Sequence, residues 1–264
     1  METWAGVRGG SLVYEDEGML ALNKPPGISV TGERHDTDLV EMAAEAGERL
    51  YPVHRIDKVT SGVVLFAKDV AHHGPLTRQF NRQTVDKAYL VVTRSTGLPE
   101  SGAIDLPLSV GRKNRVRIAG AREDIGYDAA ARRWSLRPGA ELPGKKNYPS
   151  LTTFVRVART DTRTFLVVRP VSGRRHQIRV HLAWTGHPIE GDPLFDRQSA
   201  ESGALTCLHS WRLALDAAWA RPSRVLLEAE PPAAFWEAFG GDGGELSARA
   251  KEALALLPGA GTAT

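Results

Sequence analysis

The chain has one cysteine among its 264 residues, Cys207, so an internal disulfide is impossible. That argues against the small disulfide-stapled scaffolds of secreted proteins. No run of about 18 apolar residues occurs, so no transmembrane helix is expected. Met1 to Gly10 has no apolar stretch of the signal-peptide kind. These three absences together predict a cytoplasmic protein without membrane attachment. There is no His-Glu-x-x-His and no second cysteine, so a zinc site is not expected. There is no Gly-x-Ser-x-Gly elbow, which disfavours a serine hydrolase of that type. Internal repeats and low-complexity tracts are missing too.

What is present is ordinary in amount and uneven in placement. Hydrophobic residues make up 42% and charged residues 25%, as in a soluble globular protein. The length suits one large domain or two small ones. Net charge is only +3, yet Gly111 to His181 holds 17 Lys and Arg against 5 Asp and Glu. The remainder is acidic, 17 against 26. Such asymmetry is what a surface facing a polyanion would show, unless folding scatters the charges over several faces. Arginine supplies 26 of the 34 basic residues, and its planar fork suits bidentate phosphate contacts.

The chain is organised around Tyr51 to Lys68, YPVHRIDKVTSGVVLFAK. Val63–Ala67 is apolar without alternation, which predicts a strand buried on both faces. The polar segment His54-Arg55-Ile56-Asp57-Lys58 is then held at the mouth of that strand. Cations on either side favour the charged form of the Asp57 carboxylate. Such a group can be a nucleophile or a general base, or it can simply cap a turn beside solvated Arg and Lys.

Strands are predicted over 12–14, 19–22, 87–93, 151–157, 164–169, 205–213 and 224–229. Helices are predicted from Asp36 or Thr37 to about Ala46, then over 70–81, 175–185, 233–239 and 246–257. Gly186 and Pro188 end the 175–185 helix. Residues 95–150 are broken up by Pro and Gly, with Arg115–Ile118 as a basic edge strand. Residues 119–149 are expected to be an insertion or a flexible basic loop. The irregular order of strands and helices gives an α+β fold.

Several segments resemble, in order, those of the RluA-type pseudouridine synthases. His54-Arg55-Ile56-Asp57 with Thr60-Ser61-Gly62 is similar to that family's central signature, with Ile56 in place of Leu. Lys24-Pro25-Pro26-Gly27 resembles its Lys-Pro-x-Gly motif and Lys87-Ala88-Tyr89 its Lys-x-Tyr motif. Gly173-Arg174-Arg175-His176-Gln177-Ile178-Arg179-Val180-His181-Leu182 resembles its Gly-Arg-x-His-Gln-Ile-Arg-x-His-Leu motif. Gly186-His187-Pro188-Ile189 with Gly191-Asp192, and then Leu208-His209, complete the match, which spans roughly residues 12 to 235. One departure is local: Lys87-Ala88-Tyr89-Leu90-Val91 lacks the Thr and second Ala common around this tyrosine.

The resemblance implies a central, mixed, mostly antiparallel sheet with flanking helices and a cleft across its middle. It implies an RNA pseudouridine synthase acting on a uridine in rRNA or tRNA, without metal or organic cofactor. Asp57 would act on the nucleoside, Tyr89 would serve as base, and Arg179 would hold the carboxylate. Arg55 would fill the space of a flipped base, and Lys87, Arg174, Arg175, His176 and Gln177 would bind the RNA. The expected organisation is an extension over 1–11, a catalytic body over 12–240 and a C-terminal helix and tail over 241–264. The Lys-Pro-x-Gly motif stands too near the start to leave room for the family's frequent N-terminal RNA-binding domain. A monomer is expected. Two rivals stand beside this reading. One is a catalytically silent RNA-binding module on the same fold, which loss of Asp57 would have suggested. The other is a nucleoside or glycoside hydrolase, which needs a second carboxylate about 5 Å from Asp57.

Overall fold

The computed structural model describes residues 3–32, 38–112, 115–142 and 146–259. Helix α1 (Trp4–Ser11), capped by Thr3, leads into a hairpin of β1 (Leu12–Glu15) and β2 (Met19–Lys24). Asp16 makes that turn, its Oδ1 accepting from the N–H groups of Gly18 and Met19, both at 2.8 Å. Helix α2 (Leu39–Glu45) is capped by Asp38, whose side chain accepts from Glu41 N at 2.9 Å. The caps expected from the sequence, Asp36 and Thr37, lie outside the described residues. Then follow β3 (Tyr51–Pro52), β4 (Ser61–Ala67), α3 (Val70–Asn81) and β5 (Asp86–Thr93). Asp69 caps α3 through His72 N at 2.9 Å.

The middle of the chain forms β6 (Ser101–Asp105), β7 (Leu108–Val110), β8 (Val116–Ile118), β9 (Ile125–Asp128) and β10 (Arg133–Leu136). Beyond it come β11 (Leu151–Arg159), β12 (Thr164–Pro170), α4 (Gln177–Trp184) and α5 (Arg197–Glu201). The chain closes with β13 (Leu208–Asp216), β14 (Arg224–Glu228), α6 (Ala233–Phe239) and α7 (Gly243–Ala255). Among the described residues twelve strands form one sheet, with the main order β1-β2-β4-β13-β5-β12-β11-β6-β10-β9. Strand β14 pairs with β13, and β3 with β4. Only β4–β13 and β6–β10 run parallel in it. The sheet is therefore mixed and mostly antiparallel.

Strand β4 is buried at every position, as its unbroken apolar run requires. Its neighbours β2, β13, β5 and β12 are similarly apolar, so the centre of the sheet is covered on both faces. One apolar cluster joins Phe154, Phe165 and Trp211 to Phe235, Leu246, Ala250 and Leu254. Helices α6 and α7 thus share the core of the sheet.

Two expectations are corrected. Part of the 119–149 stretch, expected to be an insertion or a flexible basic loop, is ordered structure, which corrects only the second alternative. Strands β9 and β10 extend the sheet beyond β6, anchored by Trp134, whose ring lies tilted 4.3 Å from Tyr127 and 6.0 Å from Phe154. Buried aromatic area outweighs the polar, Gly-rich composition of the segment. Residues 143–145 lie outside the described part. The helix expected over 175–185 begins two residues later, at Gln177, because His176 takes a left-handed φ of 55°. Arg174 and Arg175 therefore belong to the loop before α4, not to its first turn.

Candidate active site

The polar segment 54–60 crosses from β3 to β4 and is pinned from below. Lys24 is fully buried, and its ammonium donates to three backbone carbonyls: Pro25 and Ile28 at 2.8 Å and Lys58 at 3.2 Å. Gly27 N also donates to Lys58 O at 2.8 Å, and Thr60 N to Asp57 O at 3.0 Å. Burial lowers the Lys24 pKa to about 7, against the opposing pull of the Asp57 charge. At the start of β4, Gly62 has φ 107° and lies against the β13 backbone. A Cβ there would stand 2.2 Å from Ser210 O. Only glycine lets these two parallel strands come together, and their pairing sets where the Asp57 loop emerges.

Arg179 meets that loop from α4. Its Nη1 donates to Asp57 Oδ2 at 2.8 Å, 122 positions away in sequence. Its Nε and Nη2 donate to the two oxygens of Asp192 at 2.7 and 2.8 Å. Arg179 is 3% exposed and Asp192 0%, whereas the Asp57 side chain keeps 18%. The guanidinium is therefore an internal bridge, and the open end of the chain of charges is Asp57. Burial works against the Arg179 charge, but the hydrogen bonds and charge of Asp192, then Asp57, raise its pKa overall. Phe195 lies 5.9 Å from the guanidinium, adding a cation–π contact. The second oxygen of Asp57, Oδ1, faces His176 Nε2 at 3.7 Å. Burial lowers the His176 pKa, which favours the neutral ring.

Tyr89 comes from β5, where it pairs with Ser210 of β13 and Val168 of β12. Burial pushes its pKa up to about 12, eased by a hydrogen bond with Ser210 and reinforced by the Asp57 charge. The hydroxyl is consequently protonated at neutral pH. Lys87, two residues earlier on the same face, is drawn down to about 8 by burial.

These groups line one cleft of about 520 Å³, within the range of small-molecule sites. Asp57, Tyr89, Lys87, Arg55 and His176 all border it. Arg55 is exposed at its mouth, as are Arg174 and Arg175. Arg174 stacks over the Tyr148 ring at 5.1 Å, which pre-orients it. Gln177 borders the cleft but its polar atoms turn inward. Its Oε1 accepts from Ser172 Oγ at 2.6 Å and Arg174 N at 3.1 Å, and its Nε2 donates to Leu151 O and Thr152 Oγ1. These bonds make Gln177 a brace for the 172–176 loop. Among the described residues, no three His, Cys, Asp or Glu side chains converge as metal ligands.

Chemically, the cleft is lined by a carboxylate with one oxygen held by Arg179 and the other facing His176. A protonated phenol, a lysine whose pKa burial lowers to about 8, and exposed arginines stand around it. Two supporting residues lay outside the sequence-based set, Lys24 and Asp192. Both stand in quoted motifs, before Pro25-Pro26-Gly27 and after Gly191. Nothing local to either pairs it with the Asp57 loop or with Arg179. Gly191 (φ 72°) seats Asp192, since a Cβ there would stand 2.1 Å from Leu205 O.

The family model described as RNA pseudouridylate synthase matches residues 18–184. The tRNA pseudouridine synthase C of Pasteurella multocida is 34% identical over 188 residues, 69% of this chain and 72% of that protein. The dual-specificity RNA pseudouridine synthase RluA of Vibrio vulnificus is 33% identical over 217 residues, 78% of this chain and 75% of that protein. Among solved structures, human RNA pseudouridylate synthase domain containing 4 is similar in fold, with TM-score 0.66 and 21% identity. That likeness covers 94% of this chain and 95% of that one.

Proposed function

Because this chain belongs to the RNA pseudouridylate synthase family, we propose that it isomerises a uridine of tRNA or rRNA to pseudouridine, with Asp57, Tyr89 and Arg179 at the reacting nucleoside. The single observation that carries the assignment of residues is the Arg179–Asp57 contact at 2.8 Å, which joins two separate motifs at one cleft. Conversion requires the C1′–N1 bond to break, the base to turn, and C1′ to bond to C5. C5 then loses its proton and N1 gains one, so atoms balance without a co-reactant.

In this reading the Oδ1 edge of Asp57 attacks the nucleoside or stabilises the detached sugar, while Arg179 holds Oδ2. Tyr89, protonated at rest, takes the C5 proton only as its own proton leaves, so it works as a relay and not as a standing phenolate. A uridine within a stem must leave its stack to enter the cleft, and Arg55, exposed beside Asp57, fills the vacated space. Lys87, His176, Arg174 and Arg175 hold the flipped nucleotide and its flanking phosphates. No helix among the described residues is long and apolar enough to cross a membrane.

The test is pseudouridine formation on purified tRNA and rRNA by the chain and by Asp57→Asn. The wild-type chain should form product. The Asn variant should lose at least about 10³-fold in rate, the scale seen when a nucleophile is removed. It should bind the same RNA with similar affinity. Substantial turnover by Asp57→Asn would remove that residue from the chemistry.

A further inference from the structure

A second hollow, about 640 Å³, lies toward the other end of β11 and β12 from the cleft. The cleft borders Pro170, which pairs with Thr152, whereas the hollow borders Arg159, which pairs with Thr164. Thr164 and Pro170 are six positions apart on β12, about 20 Å at the usual rise of about 3.3 Å, while Val155, which also borders the hollow, pairs with Val167 on the sheet face opposite Tyr89. The hollow gathers Arg132 from the β9–β10 turn, Arg156 and Arg159 from β11, and Arg249 from α7. Among the described residues, Glu100 is the one acidic residue lining it.

These four arginines are held mainly by neutral acceptors. Arg156 donates to Leu98 O at 2.9 Å, Arg159 to Thr96 O at 3.5 Å, Arg249 to Val157 O at 2.6 Å, and Arg132 to Ser101 Oγ at 3.0 Å. Carboxylates stand at the margins, Glu100 at 3.6 Å from Arg156 and Glu245 at 3.9 Å from Arg249, and both are largely exposed. Backbone and hydroxyl oxygens orient the guanidinium forks without cancelling their charge. Four like charges held around one hollow, lined by a single acid, make a site of positive potential. Oriented forks with donors to spare match phosphate oxygens.

We propose that this hollow is a second RNA-backbone site, which takes phosphates of the substrate away from the modified uridine. The inference rests on the reading that the substrate is RNA. A long structured RNA reaches both places, and a short stem-loop that fills the cleft does not. Part of the 111–181 charge excess thereby acquires a use away from the catalytic centre.

The test compares the wild-type chain with Arg132→Ala/Arg249→Ala, two side chains on the surface, by RNA binding across a salt series. One probe is a full tRNA or rRNA fragment, the other a short stem-loop around the same uridine. The expected result is weaker binding of the long RNA, with a salt slope shallower by about 0.7 for each arginine removed. The short stem-loop should bind both proteins alike, which also shows that the variant is folded. A second variant, Arg159→Ala, should shift the long-RNA slope in the same direction. An unchanged slope for the long RNA overturns the proposal. So does inorganic phosphate binding that is lost in the variants while long-RNA binding is not, which marks a small-anion site. Binding needs no turnover. Absent pseudouridine formation with intact arginine-dependent binding would therefore refute the catalytic reading and leave this one standing.

Discussion

Arg179 gives two of its nitrogens to Asp192 and one to Asp57. Its closest partner is thus the fully buried carboxylate, and the catalytic candidate receives what remains. This division explains how a buried cation can sit beside a reactive carboxylate without closing on it. Asp192 fixes the plane of the guanidinium, and the other oxygen of Asp57 faces His176.

Asp192→Asn breaks this arrangement while conserving shape. Removing one partner of a buried ion pair costs about 3–5 kcal/mol. Urea denaturation should show a loss of that order. The single-turnover rate at saturating RNA should fall while RNA affinity holds, because Arg179 loses its fixed orientation. A variant as stable and as fast as the parent would show that Asp192 does not position Arg179.

Arg55 should matter in proportion to how firmly the target base is stacked. Arg55→Ala should slow a uridine paired within a stem by tens of fold, on the order of the few kcal/mol that unstacking costs. The same uridine placed opposite a mismatch should react nearly as fast as with the parent. Equal slowing of both substrates would assign Arg55 to the chemistry, not to base extrusion.

His181 and His209 make the fold acid-sensitive. Each donates Nε2–H to a backbone carbonyl, Leu106 O at 2.9 Å and Ala229 O at 2.8 Å, leaving Nδ1 to accept from Thr152 or Ser61. Burial lowers both pKa values from 6.5 to about 4. Between pH 4 and 6.5 the unfolded chain binds protons that the folded chain refuses, so stability rises with pH across that window. Above it the contribution is complete, and as pH falls toward 4 it is lost. Each ring adds up to about 1.4 kcal/mol per pH unit. Denaturation curves collected across this range should therefore be steeper for the parent than for His209→Gln, by close to one proton. Identical slopes would mean that His209 is not held neutral.

Arg174 and Arg175, in the loop before α4, should act on RNA affinity. Replacing both by Ala should make the salt dependence of binding shallower by about 0.7 to 1.4, one or two phosphates. The rate in a saturated complex should change little. A collapsed saturated rate would place one of them against the reacting nucleotide, and an unaltered slope would remove both from the backbone.

Periodicity and motif order were enough for much of this architecture. The unbroken run in β4, the helix over Val70–Asn81 and the helix over Ala233–Phe239 could be read directly, because each is set by residues within a few positions of one another. The same holds for Asp57, Tyr89 and Arg179, whose motifs are local. Strands β9 and β10 were not legible. Their order depends on Trp134 finding Tyr127 and Phe154 across strands and on the edge offered by β6. The start of α4 was misplaced because the left-handed turn at His176 breaks no rule of residue type.

By itself the sequence determined which elements carry Asp57, Tyr89 and Arg179, since propensity and alternation act over a few residues. The tertiary structure alone decided that Gln177 faces inward and that Lys24 underpins the Asp57 loop. It alone decided that Asp192 takes the larger share of Arg179, and that four arginines from three segments share a hollow away from the cleft. The physical reason is common to all four. Hydrogen-bond partners and counter-charges are assigned by packing between strands and helices far apart in sequence, and no local pattern records which carbonyl or carboxylate will be nearest.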